Sequence, residues 1–364
     1  MTQDVFRKCA IIQRILHNLY LSKFSFYLWG DSMTAKELAK LLGVSQTAVS
    51  FALNGKDGVS TQTRNRIREA AQKYGFETPK ETVANQSTGT IYLIYYQKSG
   101  MLFPILPFST EVSEGVDAAC AAAGYRVHIL HVHHQEQLLQ HLEEIGSSEK
   151  DGIILFGTDM VEEDFMPLAF QKAPMVMLDN HFISTKVDTV SINNIDSAYL
   201  ATNYMIKKRL QMPGYLRSSY PIRNFDERRE GFERALVHNG YSKSQYIHHE
   251  LAASIDGAYA DMLAILSGKE KLATCYFADN DSIALGAMKA FKEKGYRIPE
   301  DVAFIGFDDI ELSEYTEPGL TTVHVPKRYM GMIAAQRLLS IIGKKDYYPV
   351  NIQITTNLVI RKSI

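Results

Sequence analysis

Apolar residues recur at helical spacing soon after the start of the chain, and they predict a first short helix. Leu38, Leu41 and Leu42 fall on one face of that helix, because residues three and four apart are neighbours on a helical surface. Thr34 and Glu37 form a capping box, in which each side chain can satisfy a backbone N–H at the helix start. The first helix is therefore expected to begin next to Thr34.

The pattern predicts a second helix from Gln46 to Leu53, with Gly43 in the preceding turn, Ser45 as the N-cap and Asn54 at the end. Its expected buried residues are Val49, Ala52 and Leu53. The side chains that point away from that face are Gln46, Thr47, Ser50 and Phe51. A third helix is expected after Ser60 or Thr61 and up to Gly75, with Ile67, Ala70 and Tyr74 buried.

Two short helices joined by a glycine turn are typical of a helix-turn-helix, whose second helix enters the DNA major groove. Small polar residues at the start of that helix, here Gln46 and Thr47, can reach base edges. Residues 33–80 carry eight basic and four acidic side chains in a chain with a net charge of −2. Lys36, Arg64 and Arg66 are candidates for phosphate contacts. The alternative is a three-helix bundle whose basic face is merely solvated.

The pattern changes after a polar linker with neither a helical nor a strand period. Apolar runs of strand length then alternate with helical segments over about 250 residues, which predicts parallel sheets covered by helices on both faces. The predicted strands are 91–96, 125–132, 152–156, 174–178, 214–216, 273–278 and 302–307. The predicted helices are 111–123, 136–145, 197–208, 227–239, 257–266 and 282–294. This length favours two similar α/β lobes with a ligand cleft between them.

The composition of the chain indicates the cellular compartment in which the protein acts. The chain has 364 residues and no apolar run long enough to cross a bilayer, so we expect no membrane contact. Cys9, Cys120 and Cys275 are odd in number and far apart, which favours the reducing cytoplasm and predicts neither a disulfide framework nor a zinc site. Residues 1–32 fit no later pattern; they are expected to be an untranslated upstream extension, or else an additional amphipathic helix.

Motifs for catalysis and cofactors are missing from the sequence. Neither a dinucleotide fingerprint nor a phosphate-binding P-loop occurs, and there is no G-x-S-x-G nucleophile elbow, so we expect no cofactor and no enzyme activity. Asp308 and Asp309 follow a predicted strand and could be a catalytic carboxylate pair, although adjacent carboxylates in loops more often hold backbone N–H groups. His128, His131, His133 and His134 are grouped, but strand alternation separates them, which disfavours a metal site.

Polar residues at a strand end point to the ligand. Asp279, Asn280 and Asp281 follow a predicted strand, where they could cap the next helix or accept hydrogen bonds from the hydroxyls of a ligand in the cleft. Arg228, at the start of another helix, could be a solvated charge or a donor to the same ligand.

Several longer motifs resemble the LacI/GalR (lactose-repressor) family of bacterial transcription regulators. They are V-S-Q-T-A-V-S-F-A-L-N (44–54), R-x-x-G-F (228–232), D-N-D-S-I-A-L-G-A-M-K-A-F (279–291), G-Y-R-I-P-E-D-V-A-F-I-G-F-D-D-I (295–310), P-G-L-T-T-V (318–323) and M-G (330–331). The resemblance covers nearly all of the chain after Met33. It implies an α/β fold with an N-terminal helix-turn-helix head and a two-lobe core like that of periplasmic sugar-binding proteins, with parallel sheets.

The resemblance also implies a division of the chain. The helix-turn-helix is expected at 33–78, a hinge or linker at 79–90, and the ligand-binding core at 91–364. Crossings between the lobes are placed near Leu178, Val323 and Tyr347, so lobe 1 would comprise about 91–178 and 324–346. Lobe 2 would then comprise about 179–323 and 347–364.

By this resemblance the protein is a cytoplasmic homodimeric regulator, and a repressor, that binds double-stranded operator DNA. A sugar, phosphosugar or nucleoside in the cleft would change its operator affinity. The residues expected at the operator are Thr34, Ser45, Gln46, Thr47, Ser50, Phe51 and Asn54. The residues expected at the effector are Arg228, Asn280 and Asp281, of which Arg228 and Asp281 match the family's ligand-contacting Arg and Asp.

The chain departs from the family pattern in three places. The hinge lacks the usual A-R-x-L run, Phe51 stands where polar or basic residues are frequent, and the G-H pair after the 197–208 helix is missing. The alternative functions are a free-standing sugar-binding protein, which would need an export signal and no head, and an enzyme, which would need a nucleophile, base or cofactor motif. We find neither set of features in the sequence.

Overall fold

Three helices form the head (residues 1–86), which is one of two compact units; the other is the core (residues 87–364). The protein is described by a computed structural model that covers residues 35–53, 58–73, 88–99, 106–145, 148–183, 185–344 and 346–364. The helices of the head are α1 (Ala35–Leu42), α2 (Gln46–Leu53) and α3 (Thr61–Lys73). The predicted cap at Thr34, the helix end at Asn54 and the hinge from 79 to 87 lie outside the described residues.

Local chemistry sets the boundaries of the second helix. Gly43 adopts a φ of +65°, which favours glycine at this turn between α1 and α2. The Oγ of Ser45 accepts a hydrogen bond from the backbone N–H of Ala48 at 3.0 Å, as the N-cap prediction requires. Arg66 of α3 donates from Nη2 to the carbonyl of Leu42 at 2.5 Å, so it satisfies an orphan carbonyl at the end of α1.

Apolar packing holds the three helices together. The buried residues include Leu38, Val49, Ala52, Leu53, Ile67 and Ala70, as the spacing predicts. The prediction for Leu41 is wrong, because its side chain is 52% exposed and Ala39 occupies the buried face instead. A helix turns about 100° per residue, so three leucines locate the buried face of α1 only to within one residue along the sequence.

The core alternates strands and helices along the chain. Its elements are, in order, β1 (Thr90–Tyr96), α4 (Leu106–Ala122), β2 (Arg126–Val132), α5 (Gln135–Ile145), β3 (Gly152–Phe156), α6 (Glu162–Phe165), a 3-10 helix (Met166–Phe170), β4 (Met175–Leu178), β5 (Asp188–Ile192), α7 (Asn194–Arg209), β6 (Gly214–Ser218), α8 (Arg223–His238), β7 (His248–Leu251), α9 (Ile255–Ser267), β8 (Cys275–Ala278), α10 (Asp281–Glu293), β9 (Ala303–Asp308), α11 (Leu312–Tyr315), β10 (Thr321–His324), α12 (Lys327–Ile341), β11 (Asn351–Ile354) and β12 (Asn357–Val359). The apolar pattern does not predict β5, β7, β10, α12, β11 or β12.

Two six-stranded sheets define two lobes. The strand order of the first sheet is β11-β5-β4-β3-β1-β2, with all neighbours parallel. The order in the second sheet is β12-β10-β9-β8-β6-β7, where only the β10–β12 pair is antiparallel. The matching orders confirm the expected architecture of two similar α/β lobes.

The chain passes between the lobes after β5, after β10 and between β11 and β12. The predicted crossing near Val323 is close to the end of β10. The predicted crossings near Leu178 and Tyr347 are wrong, because β5 and β11 pair with each other and extend the first sheet. Each of these two crossings was placed before a strand, β5 or β11, that carries polar residues and therefore lacks a clear apolar run.

The R-x-x-G-F motif lies in α8, and its three fixed residues have different tasks. A Cβ atom at Gly231 would overlap the carbonyl of Ile195, so glycine is required for the close approach of α7 and α8. Phe232 is buried, with its ring centroid 4.8 Å from that of Tyr215. Once the helix is fixed in this way, the side chain of Arg228 reaches the strand ends of the second lobe.

Candidate functional site

A cavity of about 540 Å³ lies between the two lobes at the carboxyl ends of their strands. Phe156 ends β3, Asp179 follows β4, Asn280 follows β8 and Asp308 ends β9. This is the edge at which parallel α/β sheets bind ligands; the 540 Å³ includes open solvent at the mouth of the cavity. The remaining wall residues are Phe108, Ser109, Thr158, Ile222, Asn224, Phe225 and Arg228.

Arg228 is the only basic residue among the wall residues, and it is only 4% exposed. Its Nε donates to Oδ1 of Asn194 at 2.9 Å, and its Nη1 donates to the backbone carbonyl of Asp279 at 2.5 Å. Nη2 lies 3.3 Å from Oδ1 of Asp308, and the guanidinium stacks 3.7 Å from the ring centroid of Phe307. The alternative of a solvated charge is wrong, because burial and these contacts fix the side chain at the cavity.

Asp281 is not a wall residue, although it was expected at the effector. Its Oδ2 accepts from the backbone N–H of Ile310 at 2.9 Å and from the Oγ of Ser313 at 2.8 Å. Its Oδ1 accepts from Thr322 Oγ1 at 2.5 Å. The residue is fully buried, so its carboxylate holds the segment after β9 against β10 and does not face the cleft.

Asp308 occupies the place at the cavity that was expected for Asp281. It is 7% exposed, and its Oδ1 forms an ion pair with Nη2 of Arg228 at 3.3 Å. Its φ is +109°, an unusual value for a residue with a side chain, and such outliers are concentrated at functional sites. Asp309 is different, because it accepts from Arg361 at 2.8 Å and pairs with His324 at 2.9 Å. The sequence signal for Asp308 was its position at the carboxyl end of a strand.

Asn280 lines the cavity but its side chain is already occupied in part. Its Oδ1 accepts from the backbone N–H of Ile283 at 2.9 Å and so caps α10. The capping alternative is therefore confirmed for Asn280, and its contact with an effector stays a prediction.

Burial raises the pKa of the carboxylates in and behind the cavity. It raises the pKa of Asp179 to about 6, while hydrogen bonds from Thr158 and Asn224 and the charge of Arg228 act in the opposite direction. It also raises the pKa of Asp308, against the charges of Arg228 and Lys327. Behind the wall, burial raises the pKa of Asp279 and of Asp281 to about 7. The cavity is thus a low-dielectric site with more acidic than basic groups.

Side-chain hydrogen bonds connect the lobes directly at one side of the cavity. The hydroxyl of Tyr220 donates to Oδ1 of Asp159 at 2.7 Å. Arg223 Nη2 lies 2.9 Å from Nε2 of His181; burial lowers the pKa of His181, which favours the neutral imidazole as the acceptor. Asn224 donates to Oδ2 of Asp179 at 3.1 Å. These bonds join the loops of the first lobe to the region around the start of α8.

A larger groove adjoins the cavity and shares Thr158 and Ile222 with it. The groove encloses about 1570 Å³, including the adjoining solvent, and it also lies between the lobes. Its basic residues are Lys98, Arg223 and Arg229. Its acidic residues are Asp159, Glu162, Asp226, Glu227, Glu230 and Glu233.

The exposed side of α2 presents the residues expected at DNA. Gln46, Thr47 and Ser50 are exposed, while Phe51 is half-buried. A Cβ atom at Gly58 would lie 3.2 Å from the Phe51 ring, so the ring covers the segment that leads into α3. Ser45 is exposed as well, but its hydroxyl is used as the cap of α2. Thr34 and Asn54 lie outside the described residues.

Metal-ligand clusters and membrane-spanning helices are absent from the described ranges. No group of three or more His, Cys, Asp or Glu side chains in these ranges could hold a metal ion. No helix in them is long and apolar enough to cross a membrane.

Comparisons with known proteins agree with this geometry. Residues 34–79 match the family model "Bacterial regulatory proteins, lacI family", and residues 202–364 match "Periplasmic binding protein-like domain". The chain is 31% identical over 318 residues to the HTH-type transcriptional repressor PurR of Vibrio atlanticus, which covers 86% of this chain and 93% of the relative. It is 29% identical over 336 residues to PurR of Mannheimia succiniciproducens, with coverages of 91% and 98%.

Solved structures show the same fold. The transcriptional regulator CelR in complex with cellobiose superposes with a TM-score of 0.67 at 26% identity, and the match covers 91% of this chain and 99% of CelR. The lac repressor dimer bound to operator and the anti-inducer ONPF superposes with a TM-score of 0.65 at 21% identity, with coverages of 91% and 98%.

Proposed function

The chain belongs to the LacI family of bacterial regulatory proteins, and we propose that it is a transcriptional repressor whose operator affinity is set by a small effector in the interlobe cavity. The observation that carries this proposal is the cavity, where aromatic walls surround the buried ion pair of Arg228 with Asp308. The relatives named PurR are repressors, and CelR was solved with cellobiose, which supports a sugar-like effector. A free-standing binding protein would have no use for the head.

The effector is proposed to bind through complementary hydrogen bonds. Asp308 has only the 3.3 Å ion pair with Arg228 Nη2, so its carboxylate can accept a further hydrogen bond from a hydroxyl or N–H of the effector. Asn280 and Thr158 supply further polar groups, and the rings of Phe108, Phe156 and Phe225 cover apolar faces. Asp281 stays behind the wall as a positioning residue for the segment after β9.

On the DNA side, Gln46, Thr47 and Ser50 are proposed to face base edges because they are exposed on α2. A homodimer acting in the cytoplasm is the proposed working form, since the operator-bound lac repressor was solved as a dimer. Phe51 is proposed to contact at most a thymine methyl group, because one side of its ring already covers Gly58.

The test joins two measurements on the full chain. Thermal-shift assays with sugars, nucleosides and nucleobases identify an effector, because a ligand that binds the folded state stabilises it by mass action. Fluorescence anisotropy on a selected DNA sequence then gives operator affinity with and without that compound, and the direction of the change distinguishes an inducer from a co-repressor. Asp308→Asn should weaken effector binding at unchanged DNA affinity, while Glu143→Gln, on an exposed face of α5, is the control. A compound that binds the core without changing DNA affinity would contradict the proposal.

A further inference from the structure

We infer that the effector carries no negative charge, so that it is an uncharged or cationic donor-rich molecule, and that phosphorylated or carboxylated compounds are excluded. This inference rests on the proposed function and narrows the effector class. It follows from the charges of the cavity wall, the donors of Arg228 and the charges of the adjoining groove.

The wall of the cavity holds two carboxylates against one cation. Asp179 and Asp308 face Arg228, and no Lys or His is among the described wall residues. The ammonium of Lys327 acts on Asp308 from behind Phe108, where it is itself paired with Glu111 at 3.6 Å. A phosphate or carboxylate in this space would meet the carboxylates at short range and in a low dielectric, where like charges repel most strongly.

Arg228 has little capacity left for an anion. A guanidinium binds a phosphate well when its planar fork is free to donate two parallel hydrogen bonds. Here Nε donates to Asn194 and Nη1 to a backbone carbonyl, while Nη2 is next to Asp308 and Phe307 covers one face. Three of the five guanidinium N–H groups therefore already have partners, and an anionic effector would compete with the Asp308 carboxylate for Nη2.

Asp308 adds to this selection. Its Oδ1 is buried and forms an ion pair with Nη2 of Arg228 at 3.3 Å, so the cation of the wall already faces a carboxylate. A carboxylate can accept further hydrogen bonds from an O–H, an N–H or an ammonium group, whereas it repels a phosphate or carboxylate of an effector. The Arg228–Asp308 pair therefore favours the same class of ligand as the net charge does.

The charges of the groove next to the cavity also disfavour an anionic effector. Its lining has six acidic and three basic residues. Arg223 pairs with Glu227 at 3.0 Å and Arg229 with Asp226 at 3.0 Å, and Lys98 is held by Asp164 at 2.9 Å. Acidic residues outnumber basic ones by three in this lining, so the electrostatic potential of the groove is negative. It attracts cations and repels anions that approach the cavity.

The experiment uses matched compounds that share one ring and differ in charge. Thermal shift and calorimetry on the full chain compare glucose, glucosamine and glucose 6-phosphate, then ribose with ribose 5-phosphate, and adenosine and adenine with AMP. Within the set that binds, we expect the phosphorylated member to bind at least tenfold more weakly than its parent, which is about 1.4 kcal/mol. A phosphorylated member that binds more tightly overturns the inference while the proposed function stands. If no member stabilises the chain, the proposed effector class fails, and the inference fails with it.

Variants test the cause of the discrimination. Asp308→Asn should reduce the preference for the uncharged parent over the phosphate ester to less than threefold. Because Asp308 is buried, the double variant Glu162→Gln with Glu230→Gln provides a second test in the groove. It should slow association of glucosamine at low salt and leave glucose unchanged, while Glu143→Gln changes neither rate. Discrimination that survives both changes at full strength would overturn the electrostatic explanation.

Discussion

Replacing Asp281 by alanine is expected to destabilise the core rather than to remove an effector contact. The carboxylate accepts hydrogen bonds from Ile310, Ser313 and Thr322, and it is fully buried. Alanine would leave one backbone N–H and two hydroxyls without their acceptor. Such groups are costly in a protein interior, because water cannot replace the lost partner.

The expected loss is about 3 kcal/mol in the free energy of unfolding. Each of the three hydrogen bonds contributes on the order of 1 kcal/mol, and the hydroxyls of Ser313 and Thr322 can recover part of it by rotating. Removing the buried charge acts in the opposite direction, since burial raises the pKa of Asp281 to about 7. That offset shrinks below pH 7 as the wild-type carboxyl becomes protonated, so the loss should be larger at pH 6 than at pH 8.

Urea unfolding followed by circular dichroism measures this loss without any effector. Asp281→Asn is the conservative variant; it keeps one acceptor oxygen and should lose less than half as much stability as Asp281→Ala. Asp308→Asn is the matched comparison. Asp308 has the 3.3 Å pair with Arg228, which an amide oxygen can keep, in place of the three hydrogen bonds of Asp281, so this variant should lose less stability than Asp281→Ala. The contrast between the two aspartates separates a structural carboxylate from one that faces the cavity.

The reasoning would be refuted by the opposite pattern. If Asp281→Ala unfolds at the wild-type urea concentration and abolishes effector binding, the carboxylate faces the ligand and the assignment of Asp308 is wrong. Equal destabilisation of both variants would show that Asp308 also has donors in the folded protein.

Three further predictions concern the head, the lobes and pH. Thr47→Ala should change operator sequence preference by about 1–3 kcal/mol per lost base contact; unchanged preference in a binding selection contradicts the DNA-facing role. Tyr220→Phe removes the interlobe hydrogen bond to Asp159 and should favour open lobes by about 1 kcal/mol. If the scattering profile is unaltered, and if the effects of Tyr220→Phe and Asp159→Asn are additive, this hydrogen bond does not couple the lobes. Folding raises the pKa of Asp179 and Asp281, so the folded state binds more protons than the unfolded state, and the free energy of unfolding should fall from pH 5 to pH 8. A rise in the free energy of unfolding over that range would contradict this prediction.

Much of the head was predictable because its determinants are local. The cap at Ser45, the turn at Gly43 and the apolar face of α2 act within a few residues, so spacing is enough to find the second helix. Buried parallel strands such as β1 and β3 were predictable for a related reason. They are covered on both faces and therefore read as unbroken apolar runs.

Strands with polar residues were not predictable in this way. The sequence of β5 is D-T-V-S-I, yet all five residues are buried, and Asp188 is paired with Arg337 at 2.6 Å. That partner is 149 residues away, so no local pattern records it. The crossings between lobes were misplaced for the same cause: a strand belongs to the lobe whose sheet it pairs with, and pairing is a tertiary contact.

For the residues proposed at the effector, too, the sequence determines some features and the tertiary structure determines others. The sequence indicates that carboxylates follow β8 and β9, and that Arg228 is a donor near them. It does not determine which carboxylate faces the cavity. In the folded protein Gly306 leaves room for Asp281 to turn inward to Ile310, Ser313 and Thr322, while the positive φ of Asp308 turns that residue to the cleft. Side-chain direction at a strand end depends on the backbone angles and on neighbours from distant segments, and only the tertiary structure fixes both.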